Sequence, residues 1–204
     1  MKILTLTTGV LGVNTYFLVN EETGEAVAID CGERYSEMKK FEKDNGFTVK
    51  YELLTHSHFD HSASAVEFQK DGVQVFCSEI DAEKLKKGET LSEHFYRKPI
   101  AVVPDRTFKD GDVLNLCGIE IIVMITPGHT DGSACFIVGN NLFSGDTLFK
   151  ESCGRTDLPS GNQEDMKKSL ERLFSLDGDY KVYTGHGDAT TLSHERAHNP
   201  FGGF

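Results

Sequence analysis

The sequence is short of positive charge, of paired cysteines and of long apolar runs. Lysine and arginine number 21 against 32 aspartates and glutamates, for a formal net charge of −11. A surface of that sign repels a phosphate backbone, so nucleic acid is not an expected partner, although a small substrate feels only the local field of its site. The five cysteines, Cys31, Cys77, Cys117, Cys135 and Cys153, form no C-x-x-C pair and are odd in number. That argues against a disulfide framework and for a reducing compartment, hence a cytoplasmic protein. No apolar run reaches the roughly 18 residues of a membrane helix, so no membrane association is expected. The stretch 1–19 has one lysine and an apolar tract, but threonines and Asn14 interrupt it and no A-x-A site follows. It reads as two β-strands rather than a secretion signal. Low-complexity segments and linkers are lacking too. The 204 residues, 38% hydrophobic and 26% charged, are expected to form one soluble domain over 1–204.

Histidine is also scarce, eight in all, yet three of the eight sit with an aspartate inside six residues. The stretch 53–61 reads LLTHSHFDH and holds His56, His58, Asp60 and His61. Imidazole and carboxylate are the side chains that bind divalent zinc, manganese or iron. In an extended segment alternate side chains share a face, so His56, His58 and Asp60 can point one way. A helix starting near Asp60 turns His61 off that line toward a second position. One short turn can therefore feed two adjacent metals.

Three further motifs have a common layout. Pro127-Gly128-His129-Thr130 follows the apolar run 119–125, Ser144-Gly145-Asp146-Thr147 follows Asn141-Leu142-Phe143, and Thr184-Gly185-His186-Gly187 follows 180–183. In each, a β-run stops, a glycine permits a sharp turn or close backbone approach, and a ligand-type residue comes next. Loops at strand ends, held by a rigid sheet, are common places for active sites. Side by side, the four strand ends present five histidines and two aspartates to one point. His94, His194 and His198 lie in charged helical stretches and read as solvated or capping residues. Strands are expected over 3–6, 15–19, 26–29, 49–54, 73–77, 113–116, 119–125, 134–138, 142–143 and 180–183. Helices are expected over 36–43 with Ser36 as N-cap, 61–70, 80–98 with a break at Gly88, 163–174 and 192–198.

The pattern His56-x-His58-x-Asp60-His61, then His129, Asp146 and His186, resembles the metallo-β-lactamase superfamily along nearly the whole chain. Gly145-Asp146-Thr147-Leu148-Phe149, Cys153-Gly154-Arg155-Thr156-Asp157, Gly185-His186-Gly187, Thr190-Thr191, Glu195 and Asn199-Pro200-Phe201 resemble small glyoxalase II-like hydrolases. The resemblance implies an α+β fold, a four-layer αβ/βα sandwich with a metal site at one edge between two sheets. It also implies the ligands: His56, His58 and His129 for one divalent ion, Asp60, His61 and His186 for a second, with Asp146 bridging. Zinc is the first expectation for both ions, with iron or manganese as alternatives. Asp30, at an earlier strand end, reads either as a carboxylate orienting a ligand histidine or as a solvated strand terminus.

The implied activity is cleavage of a small-molecule thioester, such as an S-acyl glutathione, by attack of a metal-bridging hydroxide. Asp60 takes a catalytic role by orienting the water or accepting its proton. Arg155 stands where such enzymes carry a basic residue that contacts glutathione. The chain departs from the full-length enzymes at Asp157, where they usually have tyrosine, and in ending soon after the last motif without their C-terminal helical domain. The stretch 153–157 also resembles persulfide dioxygenases, which bind one iron through two histidines and a carboxylate, here His56, His129 and Asp146. A lactonase or other ester hydrolase of the same superfamily is a further alternative. The sequence leaves the oligomeric state open.

Overall fold

Alternation along a few strands dictates the architecture. A computed structural model describes residues 1–95 and 98–202. Its first half runs β1 (Lys2–Thr8), β2 (Val13–Val19), β3 (Glu25–Ile29), α1 (Tyr35–Asn45), β4 (Thr48–Leu53), α2 (Phe59–Ser62), α3 (Ala65–Lys70), β5 (Gln74–Ser78), α4 (Glu79–Lys87), a 3-10 turn at Ser92–Phe95, and β6 (Arg106–Phe108). Its second half runs β7 (Val113–Leu116), β8 (Ile119–Ile125), β9 (Ala134–Val138), β10 (Asn141–Gly145), β11 (Leu148–Phe149), β12 (Ser152–Cys153), α5 (Gln163–Phe174), β13 (Lys181–Thr184), β14 (Thr190–Thr191) and α6 (Leu192–His198).

One sheet has the order β1-β2-β3-β4-β5-β6 and the other β14-β13-β10-β9-β8-β7, with β11-β12 as a separate ribbon. Strand β2 is buried along its whole length, and its successive side chains go to different cores because strand side chains alternate. Phe17 and Val19 join Met38, Phe68 and Leu85 beneath the helices of the first half. Tyr16 and Leu18 join Phe136, Phe143 and Tyr183 between the sheets. A third apolar layer, with Cys135, Ile137, Met166, Leu170 and Leu173, seats α5 on the outside of the second sheet. Three apolar layers separate four layers of structure, the αβ/βα sandwich expected from the sequence.

The structure departs from the expected elements where local hydrogen bonds divert the chain. The single helix over 61–70 is two, α2 and α3, because the Ser64 N–H donates to the Cys31 carbonyl (3.3 Å) and its hydroxyl to the Gly32 carbonyl (2.6 Å). Helix α1 starts one residue before Ser36, on Arg34 in the left-handed region (φ 74°), and no side chain caps it. The expected helix over 80–98 stops at Lys87, with Gly88 as its C-cap, and returns only as the 3-10 turn. The part of that expectation on residues 96–97 lies outside the described residues. Strands β6, β11, β12 and β14 are two or three residues long, too short to leave a periodicity.

Candidate metal centre

The ends of β4, β8, β10 and β13 meet at one edge of the sandwich, and backbone contacts between the two sheets hold them there. The Ala134 N–H donates to the Thr55 carbonyl (2.8 Å), and the Asn14 N–H to the Gly185 carbonyl (2.8 Å). Asn14 Nδ2 donates to the carbonyls of Thr184 (3.1 Å) and Gly187 (3.0 Å), and the Tyr16 hydroxyl to Thr184 (2.6 Å). Strand β2 of the first sheet thus fixes the last loop of the second. At Gly185 the chain passes so close that a Cβ would collide with the Asp146 carboxylate.

All seven expected ligand residues converge there. His56 Nε2 lies 3.1 Å from His58 Nδ1, which lies 2.9 Å from His129 Nε2. His61 Nε2 lies 3.1 Å from His186 Nε2, and the Asp60 carboxylate 3.3 Å from His186. Asp146 stands between the two sets, with Oδ1 3.4 Å from His61 and Oδ2 3.4 Å from His129. Three overlapping groups can each hold an ion: His56, His58 and His129; His56, His61 and Asp146; and Asp60, His61 and His186.

The outward nitrogens show which way the rings are set. His56 Nδ1 meets the Thr55 hydroxyl (3.1 Å), His61 Nδ1 the Asp30 carboxylate (2.8 Å), His129 Nδ1 the Arg155 carbonyl (2.8 Å) and His186 Nδ1 the Leu11 carbonyl (3.0 Å). A carbonyl or carboxylate only accepts, so at His61, His129 and His186 Nδ1 donates a proton and Nε2 is the nitrogen that faces inward, where it can bind a metal once it carries no proton. Two lone pairs about 3 Å apart repel unless a proton or a metal cation sits between them. Asp146 Oδ1 is buried with no hydrogen-bond partner among the described residues. This donor set fits divalent metal ions.

Electrostatics divides the site. Burial first, and the neighbouring histidines after it, push His56 and His58 well below the ordinary imidazole range. Burial also works against a charge on His61, but Asp146, Asp30 and Asp60 outweigh it and raise His61 to about 10. His186 is raised too: burial opposes the charge, and Asp60 and Asp146 favour it. Burial alone would raise Asp60, yet His61, His186 and His58 hold it well below the usual carboxylate range. A cation entering beside Asp60, His61 and His186 must therefore displace protons.

Three buried acids support the site. Asp30 is a buried anchor rather than a solvated terminus, accepting from the Thr55 N–H (2.8 Å), the Thr55 hydroxyl (2.9 Å) and His61. Asp81, within the charged stretch read as a plain helix, accepts from the Ser57 N–H (2.7 Å) and the Thr130 hydroxyl (3.2 Å), joining two ligand loops. Its sequence signal is only the Ser78-x-x-Asp81 helix start, in which Ser78 accepts from the Asp81 N–H (3.1 Å). Fully buried Glu195 accepts from the Glu151 N–H (2.8 Å), the Thr190 hydroxyl (2.6 Å) and Asn199 (2.8 Å). That network fastens the β11–β12 ribbon, which runs on into Gly154 and Arg155, to α6.

Arg155 lines the cavity over the metal centre, but its Nε and Nη2 are engaged by Asp157 at 2.7 and 2.8 Å. Cys153 is half-buried and lines an adjoining hollow with Arg155. His194 and His198 stack on each other, and His194 meets Glu151 (2.9 Å) away from the centre.

Comparison with known proteins agrees with this geometry. The model of the metallo-beta-lactamase superfamily matches residues 8–186. The chain belongs to that superfamily. A probable metallo-hydrolase of Streptococcus pyogenes is 37% identical over 98% of this chain and 90% of its own length. The hydroxyacylglutathione hydrolase GloC of Haemophilus influenzae is 33% identical over 90% of each chain. Among solved structures, the B3 metallo-beta-lactamase BLEG-1 superposes with a TM-score of 0.93 at 30% identity, covering 100% of both chains. A protein crystallised in a di-iron-bound form superposes with a TM-score of 0.87 at 31% identity, covering 97% of this chain and 99% of its own. No helix among the described residues is long and apolar enough to cross a membrane.

Proposed function

We propose that the chain, working as one domain over 1–204, is a metal-dependent hydrolase of small-molecule thioesters, glutathione-linked ones among them. The observation that carries the reading is the ring of inward-facing histidine nitrogens around Asp146, whose buried Oδ1 has no hydrogen bond among the described residues. His56, His58 and His129 would hold one ion and Asp60, His61 and His186 a second, with Asp146 shared. Two such ions, zinc by the nitrogen-rich donor set, supply Lewis acidity and a water acidic enough to ionise near neutral pH.

The chain's own residues do the rest. Asp60, kept ionised by its histidine neighbours, is an acceptor that orients the attacking water rather than a store for its proton. Leu11, Phe59, Leu91 and Leu158 line the cavity and limit competing water. The leaving thiolate, with an ordinary thiol pKa of about 8.5, departs without a strong general acid. Arg155 reaches a carrier thiol's carboxylate by exchanging Asp157 for it. The completeness of the group Asp60, His61 and His186 favours a two-ion hydrolase over a persulfide dioxygenase, which needs only His56, His129 and Asp146. Free cysteines throughout suit the cytoplasm.

The test is steady-state hydrolysis of S-lactoylglutathione and a thioester panel by metal-loaded protein, with metal content measured in parallel. About two ions per chain and a loss of at least about a hundredfold in His58→Ala are expected, more than removal of a supporting residue costs. One iron per chain, with oxygen uptake on glutathione persulfide and no hydrolysis, would refute it.

A further inference from the structure

The cavity over the metal centre has a volume of about 330 Å³ and is two-sided in chemistry. Its floor is His58, Asp60, His129, Asp146 and His186. Its wall is Leu11, Phe59, Leu91, Phe95 and Leu158, contributed by the β1–β2 turn, α2, the segment after α4 and the loop after Arg155. Leu11 and Phe95 are each about two-fifths exposed, at 41% and 42%, although Phe95 also packs at a tilt against Phe59 with ring centroids 5.0 Å apart. Large apolar side chains left open around one cavity mark a surface that waits for an apolar ligand.

Leu91 adds an independent observation. Its φ is 62°, in the left-handed region that a leucine rarely enters. Backbone strain at a non-glycine residue persists only where the surroundings hold it, and it concentrates at ligand sites. Its neighbours are held: the Thr90 carbonyl accepts from the Phe59 N–H (2.9 Å), and the Leu91 carbonyl from the His94 N–H (3.1 Å). Among the described residues, Arg155 is the permanently cationic side chain on the cavity, and Asp157 engages it through two hydrogen bonds. The described lining therefore offers apolar area, with its arginine charge already paired.

We infer that the substrate's acyl half is apolar, an extended aliphatic or aromatic group lying on Leu11, Leu91, Phe95 and Leu158, rather than a short hydroxyacyl group. This rests on the thioester hydrolase reading. The acyl group packs on the leucines while its carbonyl meets the metal centre, and each methylene it buries adds to transition-state binding.

Two measurements on metal-loaded protein test it. The first is kcat/KM for acetyl, butanoyl, hexanoyl, octanoyl and benzoyl thioesters of the neutral carrier N-acetylcysteamine, beside S-lactoylglutathione. The second is the dissociation constant of acetate, butanoate, hexanoate and octanoate by calorimetry. Both should improve about 2- to 4-fold per added methylene, with hexanoyl and benzoyl ahead of lactoyl. Leu91→Asn, a residue type that accepts the left-handed φ, and Leu11→Asn should each flatten both series. Hydrolysis that is flat or falling with acyl length, or carboxylate binding that does not tighten, would overturn the apolar acyl site. Chain-length-dependent binding without hydrolysis of any thioester would instead support the site and refute the thioesterase reading.

Discussion

Asp30→Asn isolates one carboxylate charge at the centre of the support. Asp30 directly follows β3 with φ 57°, and asparagine is the residue that best shares both its shape and its tolerance of that backbone. The wild-type carboxylate accepts three hydrogen bonds, from the Thr55 N–H at 2.8 Å, the Thr55 hydroxyl at 2.9 Å and His61 Nδ1 at 2.8 Å. An amide has one acceptor oxygen. If its NH₂ replaces Oδ1, it meets the Thr55 N–H donor to donor. If it replaces Oδ2, His61 Nδ1 must become the acceptor and the ring proton moves to Nε2. That nitrogen faces Asp60, Asp146 and His186, and a protonated nitrogen cannot bind a metal.

Either orientation loses a hydrogen bond to a charged group, worth about 1.5–3 kcal/mol. Removing a carboxylate that orients a metal-ligating histidine typically weakens binding about 10- to 100-fold, or about 1.4–2.7 kcal/mol. The two estimates agree. Titration of metal-loaded Asp30→Asn against a chelator of known affinity should therefore release one ion per chain at least about tenfold more easily than wild type. The other ion, assigned to His56, His58 and His129, should move less, because His129 Nδ1 donates to the Arg155 carbonyl rather than to Asp30. Unchanged affinity for both ions, with the protein folded, would refute the assignment of Asp30 as the residue that sets His61.

Glu195→Ala strips the acceptor from the Glu151 N–H, the Thr190 hydroxyl and Asn199 and should cost about 2–4 kcal/mol of stability, read from the urea midpoint; a change under about 0.5 kcal/mol would mean the network is idle. Glu52 is fully buried with neither carboxyl oxygen hydrogen-bonded among the described residues, and burial raises it to about 8, opposed by the Cys31 thiol and helped by the Asp30 charge. The folded state then keeps a proton that the unfolded chain, with an ordinary glutamate, releases above about pH 4.3; stability should fall as pH rises from there to about 8, by a few kcal/mol. Glu52→Gln should flatten that slope, and denaturation midpoints for the two proteins between pH 5 and 9 that stay parallel would exclude it. Stripping bound metal by dialysis against a chelator should lower the thermal midpoint, since an ion present at about a thousand times its dissociation constant adds about 4 kcal/mol; identical melting curves before and after would show that no ion is held at this centre.

The sequence made the centre legible because its chemistry is local. His56, His58, Asp60 and His61 come from one turn, and the remaining ligands each follow a glycine at a strand end, so a short window carries each motif. Helices α5 and α6 were equally plain, because their periodicity and caps lie within the element: Asn162 accepts from the Glu164 and Asp165 N–H groups, and Thr191 from the His194 N–H. The supporting acids were hidden for the opposite reason. Asp81 and Glu195 sit among charged helical residues, and only the folded chain shows that both are buried. Asp30 read equally well as a solvated terminus, because nothing near it in sequence announces Thr55 or His61. Likewise the pairing of Arg155 with Asp157 is a matter of side-chain reach, although the unusual aspartate was visible.

The placement of the ligands gives the centre a structural duty as well as a chemical one. His56, His58, Asp60 and His61 hang from the first sheet; His129, Asp146 and His186 hang from the second. Each of the two proposed ions would therefore take ligands from both sheets, with Asp146 shared between them. Without ions, the facing nitrogens of His58 and His129, 2.9 Å apart, and of His61 and His186, 3.1 Å apart, meet across the seam with protons that an entering metal must displace. The edge is also held closed by the Thr55–Ala134 hydrogen bond and the contacts of Asn14 and Tyr16 with the 184–187 loop. Asn14 and Tyr16 thus set how far the empty site stays preformed, and a preformed site binds metal without first having to draw the sheets together.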